Sequence, residues 1–257
     1  MEINFTYDRP MDGPGSGPLT VGWFLASDKG AVLYDPPERV MIRPPNKTNA
    51  KSASRCPAVI QLESRYFMVK CPFDLHIGFQ RDEKGKAVLV NRAGASSPIR
   101  SSKLNEVLTL VNEAEWRFPD RPTVQLHLPY YFIADEMVYM TQLAAFAHYR
   151  PDPLPGTIFG GRFPISLWPR PLMWAFEWHE PQKDLILRRG EPLFYVQFEA
   201  MDPSRAVQVV EAERTPEVQS YLDSLAGVVN YVNQTFSLFK AAEAIRPKKL
   251  LTPKERG

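Results

Sequence analysis

Proline sets the first constraint on this chain. Its 257 residues hold 25 prolines against 14 glycines. Proline has a fixed φ and no backbone N–H, so helix interiors and central strands exclude it. A chain interrupted this often folds into short strands, sheet edges and shaped loops. Aromatic residues, 12% of the total, point the same way because they suit half-buried pleated surfaces.

Hydrophobic patterning fills in the frame. Val21–Ala26 and Ala31–Asp35 flank a turn-forming Ser-Asp-Lys-Gly and are expected to form a hairpin. Ile3–Tyr7 is a short candidate strand in an N-terminal arm. Residues 36–55, with two Pro-Pro pairs and a polar, basic run, predict a long surface loop. Ala58–Cys71 has the composition of two antiparallel strands, followed by strands over Cys71–Gln80 and, past a charged turn, Ala87–Val90. Leu104–Asn112 fits helix or strand equally, and Glu136–Tyr149 is apolar almost throughout, so periodicity separates neither. Thr123–Asp135 reads as a strand bent at Pro129, and Asp184–Ala200 as two strands around an Arg-Gly-Glu-Pro corner.

The most informative segment is Leu172–His179. In a strand alternate side chains share a face, so Leu172, Trp174, Phe176 and Trp178 form one apolar face, while Met173, Ala175, Glu177 and His179 form the other. After residue 203 the period changes. Thr215, Pro216 and Glu217 form a helix start, and apolar residues recur from Val218 to Phe239 at helical spacing. This predicts one amphipathic helix of about seven turns, ending near Ala244 and followed by a mobile basic tail. The expected class is mainly β. A β-sandwich or jelly-roll-like body would occupy residues 1–203, a long C-terminal helical extension 204–245 and the tail 246–257.

Charge and cysteine content narrow the function classes. Lys and Arg total 31 against 29 Asp and Glu, a net +2 that lacks the basic excess of a dedicated nucleic-acid binder. Cys56 and Cys71 have neither metal-site nor redox spacing and read as reduced thiols. The first residues lack the basic and apolar regions of a signal peptide, and no apolar run reaches the length of a membrane span. The expected location is cytoplasmic, with no membrane partner and no cofactor.

Three segments carry a resemblance: Ser54–Phe79, Trp116–Phe132 and Leu154–Phe198, with their Pro, Gly and aromatic residues at strand ends. They resemble an uncharacterised family of bacterial and phage proteins, classed as a domain of unknown function. That resemblance implies a β-sandwich body and supplies no activity. The last segment is also similar to a piece of the trimeric dUTPase jelly roll. It departs from that family where chemistry would sit: Thr157–Trp168 holds no acidic residue and no glycine-flanked Asp-Tyr motif.

Candidate chemistry is sparse. Glu177 and His179 point the same way, and with His127 they supply the residue types of a two-histidine, one-carboxylate facial triad, as in non-haem iron oxygenases. Arg170 could clamp an anion and Tyr130 could line a ligand site. Trp168, Tyr221, Leu225, Val229, Val232 and Phe236 are candidates for an interface, unless the terminal helix lies across its own body. Arg43, Lys47, Lys51 and Arg55 in the long loop, and the basic residues of the tail, could touch phosphates. No nucleophile elbow or phosphate loop is present. The leading expectation is a non-catalytic binding or assembly module, self-associating or part of a larger complex. A metal- or small-ligand-dependent enzyme is the alternative, and a weak nucleic-acid binder comes third.

Overall fold

The computed structural model describes residues 17–43, 49, 51–202, 204–228 and 235–255, with side chains in the last segment from Ser237 onward. In chain order the strands are β1 (Leu19–Leu25), β2 (Glu38–Arg39), β3 (Tyr66–Lys70), β4 (Leu75–Arg81), β5 (Ala87–Asn91), β6 (Leu108–Leu110), β7 (Thr123–His127), β8 (Tyr130–Ile133), β9 (Val138–Leu143), β10 (Gly156–Ile158), β11 (Gly161–Pro164), β12 (Met173–Trp178), β13 (Leu185–Leu187), β14 (Pro192–Ala200) and β15 (Val207–Glu211). The α-helices are α1 (Pro57–Glu63), α2 (Leu104–Val107), α3 (Pro216–Leu225) and α4 (Thr235–Ile245). Among the described residues the strands form four sheets, ordered β15-β1-β8, β10-β12-β7-β6, β11-β9-β14-β3-β2 and β13-β4-β5.

All four sheets turn one face onto a common core. Trp174, Phe176 and Trp178 of β12 meet Val124 and Leu126 of β7, Phe194 and Phe198 of β14, and Leu75 and Ile77 of β4 in that core. The alternation read from Leu172–Trp178 is therefore present, and the three aromatic side chains are fully buried. Each contributes roughly 2–3 kcal/mol of transfer free energy. Trp178 also fixes its own connection, because its Nε1 donates to the carbonyls of Glu180 and Lys183 in the turn that follows.

Bent ribbons join the sheets. β3 pairs with β14 in one sheet and β4 pairs with β13 in the next. The two segments turn side by side, held by Cys71 N–H on Glu191 O and Gly190 N–H on Cys71 O. So the Arg-Gly-Glu-Pro corner is a passage between sheets, and β13 does not pair with β14. A second passage lies at Pro129, where the chain leaves β7 for β8 and Pro129 O accepts from Ala26 N–H. The predicted bend is there, and it divides the segment between two sheets.

The sheet β15-β1-β8 is covered on both sides. Leu19, Val21, Tyr130, Phe132 and Val207 face the common core, while Phe24 and Ile133 face a second one. Burial on both faces explains the runs Val21–Leu25 of β1 and Tyr130–Ile133 of β8, which show no polar alternation. Strand β15 pairs with β1 in parallel, an element that the polar residues around it had hidden. The second core is closed by Val218, Tyr221, Leu222 and Leu225 of α3, Leu238 and Ala242 of α4, and Leu250 and Leu251 beyond it.

Several expectations need correction. The predicted long terminal helix is not one helix. It stops at Leu225, where Ala226 turns extended and Gly227 takes a φ of 72°. A glycine in the left-handed region just past the last turn is the common helix stop. Residues Pro57–Glu63, expected as strand, form α1, with Pro57 in its first turn. Ala31–Leu33 forms a 3-10 turn instead of a second hairpin strand. The ambiguous segments resolve as a helical turn leading into β6, and as β9 followed by loop. Ile3–Tyr7 lies outside the described residues.

The tail and the long loop are also pinned where they are described. Arg246 donates to the carbonyls of Ser166, Ala134 and Asp135. The Asp135 carboxylate accepts the N–H groups of Leu250 and Leu251, and Lys254 pairs with Glu211 at 2.7 Å. In the loop, β2 adds to β3, and Arg39 reaches the carbonyls of Glu63 and Val207. Glu63, buried at the end of α1, accepts from the N–H groups of Ile42 and Arg43 and from the Arg43 side chain.

Burial alone would push the Glu63 carboxyl up. The Arg43 and Ile42 backbone donors and the Arg43 guanidinium outweigh it and hold the group below its ordinary value of 4.5. A depressed folded value stabilises the fold above that ordinary pH, and the contribution is lost as pH falls through the folded value. Urea unfolding between pH 7 and pH 3 should therefore show a steeper acid loss for the wild type than for Glu63→Gln. Parallel curves would contradict this account of the clamp.

Candidate functional site

Strand register decides which candidate residues meet. In the sheet β10-β12-β7-β6, the face turned away from the core carries Thr157, Glu177, His179, Ala175, Gln125, Met173 and His127. Glu177 stands opposite Thr123 and Thr157, whereas His127 stands opposite Met173. Four positions along a strand is about 13 Å. The structure thus brings Glu177 and His179 together and places His127 at the far end of the sheet. No group of three or more His, Cys, Asp or Glu residues suited to a metal ion occurs among the described residues.

The Glu177–His179 pair is tightly built. Glu177 Oε1 lies 2.9 Å from His179 Nε2 and 3.5 Å from Arg121. His179 Nε2 is also 3.2 Å from the Thr157 hydroxyl. Glu177 is 2% exposed, and its Oε2 has no hydrogen-bond partner among the described residues. Arg121 is held over the ring of Phe118 at 4.3 Å. The buried carboxylate is held by an arginine and a histidine as a structural knot, and removing one partner of such a buried group is strongly destabilising. Strand β10 makes this packing possible through Gly156, where a Cβ would fall 2.0 Å from the Glu177 carbonyl oxygen and 2.7 Å from the Phe176 ring.

The opposite end of the sheet opens into a cleft of about 360 Å³. His127 and Arg170 line it together with Tyr34, Glu106 and an apolar floor that includes Val107, Leu128, Pro171 and Met173. His127 Nε2 is 2.8 Å from the Thr109 hydroxyl, which leaves its other ring nitrogen available. Glu106 is paired with Lys103. Arg170 is exposed, with no hydrogen bond or ion pair among the described residues. Desolvation by burial raises the Tyr34 hydroxyl above its ordinary value, so it is neutral and can donate. The two candidates His127 and Arg170 therefore meet, though not for the metal chemistry that singled out His127. Tyr34 and Glu106 carry no local signal and come to the cleft only through tertiary packing.

Other candidates are committed elsewhere. Tyr130 is fully buried, with its hydroxyl donating to Asp35 O at 2.6 Å, so it lines no ligand site. Trp168, Tyr221 and Leu225 belong to the chain's own second core. Their apolar area is covered within the chain, which corrects their reading as interface residues. Tyr221 is fixed further by its hydroxyl on the Leu167 and Ala242 carbonyls. Val229 and Val232, and the side chain of Phe236, lie outside the described residues. Cys56 and Cys71 are both free thiols. Burial pushes the Cys71 thiol up to about 12, so it is a core residue of the corner and not a nucleophile.

Compared with family models, with curated proteins and with solved structures, the chain matches none. No helix among the described residues is long and apolar enough to cross a membrane.

Two outcomes follow from this geometry. Gly156→Ala should displace β10 from β12 and lower stability by about 2 kcal/mol, a usual cost of overpacking. Unchanged urea unfolding would contradict the close approach. At pH 8 a thiol reagent should label Cys56 and spare Cys71 until denaturant is added; prompt labelling of both would show that the corner is open.

Proposed function

We propose that this chain is a non-catalytic binding module that works within a larger assembly, and that its recognition site is the cleft at His127 and Arg170. The observation that carries the reading is an exposed guanidinium without an anionic partner among the described residues, set beside a histidine and above an apolar floor. A guanidinium recognises carboxylate and phosphate through paired hydrogen bonds. The ligand that fits is a small organic anion with an apolar body. Its charged end would meet Arg170 and His127, and its body would rest on Leu128, Pro171 and Met173. The ribbons that bend between sheets around one core support a sandwich or jelly-roll-like reading of the body.

Trp168, Tyr221 and Leu225 are internal, and the support for assembly comes from Phe146 and Tyr149, which are 55% and 84% exposed. Phe146 packs against Tyr66 and Tyr195 on the outer side of the five-stranded sheet. Exposed aromatic residues on a rigid support suit a protein contact.

An oxygenase-like enzyme finds less support, because two of its three proposed ligands form the Glu177–His179 knot and the third lines a different site. A nucleic-acid arm finds less support too, since Arg246 and Lys254 of the tail and Arg43 of the loop are already engaged.

Calorimetric titration with benzoate and phenyl phosphate tests the site. Binding should weaken at least tenfold in Arg170→Ala, corresponding to about 1.4 kcal/mol, while the unfolding midpoint stays unchanged. Equal binding by the variant would rule the cleft out.

A further inference from the structure

A second groove, of about 660 Å³, lies beside β6. Strand β5 forms one wall with Ala87 and Leu89, and β6 forms the other with Thr109 and Leu110. The two strands are edges of different sheets and do not pair with each other. Their hydrogen-bond phase can be read from the pairing. Arg92 N–H donates to His76 O, and Asp82 N–H to Lys86 O, so the even-numbered residues of β5 bond to β4. In an antiparallel ladder bonded and non-bonded pairs alternate. Ala87, Leu89 and Asn91 therefore aim their N–H and C=O groups away from β4. On the facing edge Val111 N–H donates to Thr123 O, which puts Leu110 in the non-bonded phase with both its backbone groups directed away from β7.

Edges of this kind are normally blunted by charge or proline. β2 is a two-residue Glu-Arg strand, and β11 carries Arg162 and ends in Pro164. β5 reads Ala-Val-Leu-Val-Asn with neither charge nor proline, and β6 is a three-residue Leu-Thr-Leu edge. An unblunted edge facing a second, short edge across one groove forms a template for a backbone. The charges in the groove select further: Glu113 is paired with Arg81, whereas Lys86 has no ion pair among the described residues.

We propose that this groove binds an extended peptide segment of a partner protein by strand addition, bridging β5 and β6, with an acidic residue of the peptide beside Lys86. The peptide accepts from and donates to Ala87 and Leu89 on one side and Leu110 on the other. Its alternate side chains face into the groove, which Val88, Leu89, Leu110 and Val111 help to line. Strand addition draws affinity from main-chain bonds and selectivity from side-chain contacts. This inference is independent of the Arg170 cleft.

The probes are blocked hexapeptides of alternating Val and Thr, carrying Asp at either end, with Lys-bearing and alternately N-methylated controls. Binding is followed by fluorescence anisotropy and by hydrogen exchange on the wild-type chain. The Asp peptides should bind, and should protect the Ala87, Leu89 and Leu110 amides. N-methylation should abolish binding. Ala87→Pro removes one outward N–H without breaking the ladder to β4, and should weaken binding about tenfold. Lys86→Glu should weaken the Asp peptides and strengthen the Lys ones. The proposal is overturned if no peptide binds at millimolar concentration, or if both variants bind like the wild type. It is also overturned if the wild type is a dimer that Ala87→Pro converts to monomer, since a second copy would then fill the groove.

Discussion

One shared core holds this fold together. Each sheet alone would leave an apolar face open to water, and all four bury that face in one shared cluster. Trp174, Phe176 and Trp178 stand at the meeting point, fully buried and in contact with neighbours from several sheets. The cost of exposing them ties distant segments into one cooperative unit. It also explains why the chain bends so often. A strand that serves two sheets must turn between them, and the turns at Cys71, Pro129 and Gly190 are where it does so.

The outer face of β12 is set by the same requirement. Once Trp174, Phe176 and Trp178 point inward, Glu177 and His179 must point outward. They are then near enough to bond, and Arg121 and Thr157 join the cluster. The same strand direction sends His127 to the opposite end, beside Arg170. One strand orientation thus separates a structural pair from an open cleft. The helical layer has a comparable logic. α3, α4 and the residues after them exist to cover the second face of β1 and β8, which is why Tyr221 and Leu225 lie inside the chain.

What could be read from the sequence was whatever depends on local period. The alternation of Leu172–Trp178, the bend at Pro129, the charged turn between β4 and β5, and the Thr215–Pro216 helix start all appear as local patterns. What could not be read depends on pairing at long range. Nothing near Ala58–Glu63 says that this apolar segment is a helix, apart from a proline that fits a first helical turn equally well. Strand β15 carries Gln208 and Glu211 among its valines and pairs in parallel with a strand far away in sequence. Gly227 was the visible sign that the terminal helix stops, and the apolar stripe running past it masked the signal. In the candidate site, the common facing of Glu177 and His179 was legible, but the separation of His127 follows from register alone. Arg121, Tyr34 and Glu106 reach their positions through tertiary packing and leave no local trace.

The central claim is that β12 is an inner strand whose aromatic face is sealed by all four sheets. Native-state hydrogen exchange reads this directly. The Trp174 to Trp178 amides should exchange only through global unfolding, with the same free energy as urea unfolding and the same dependence on denaturant. Exchange of these amides at the rate of exposed loops, or through a low-energy local opening, would contradict the account.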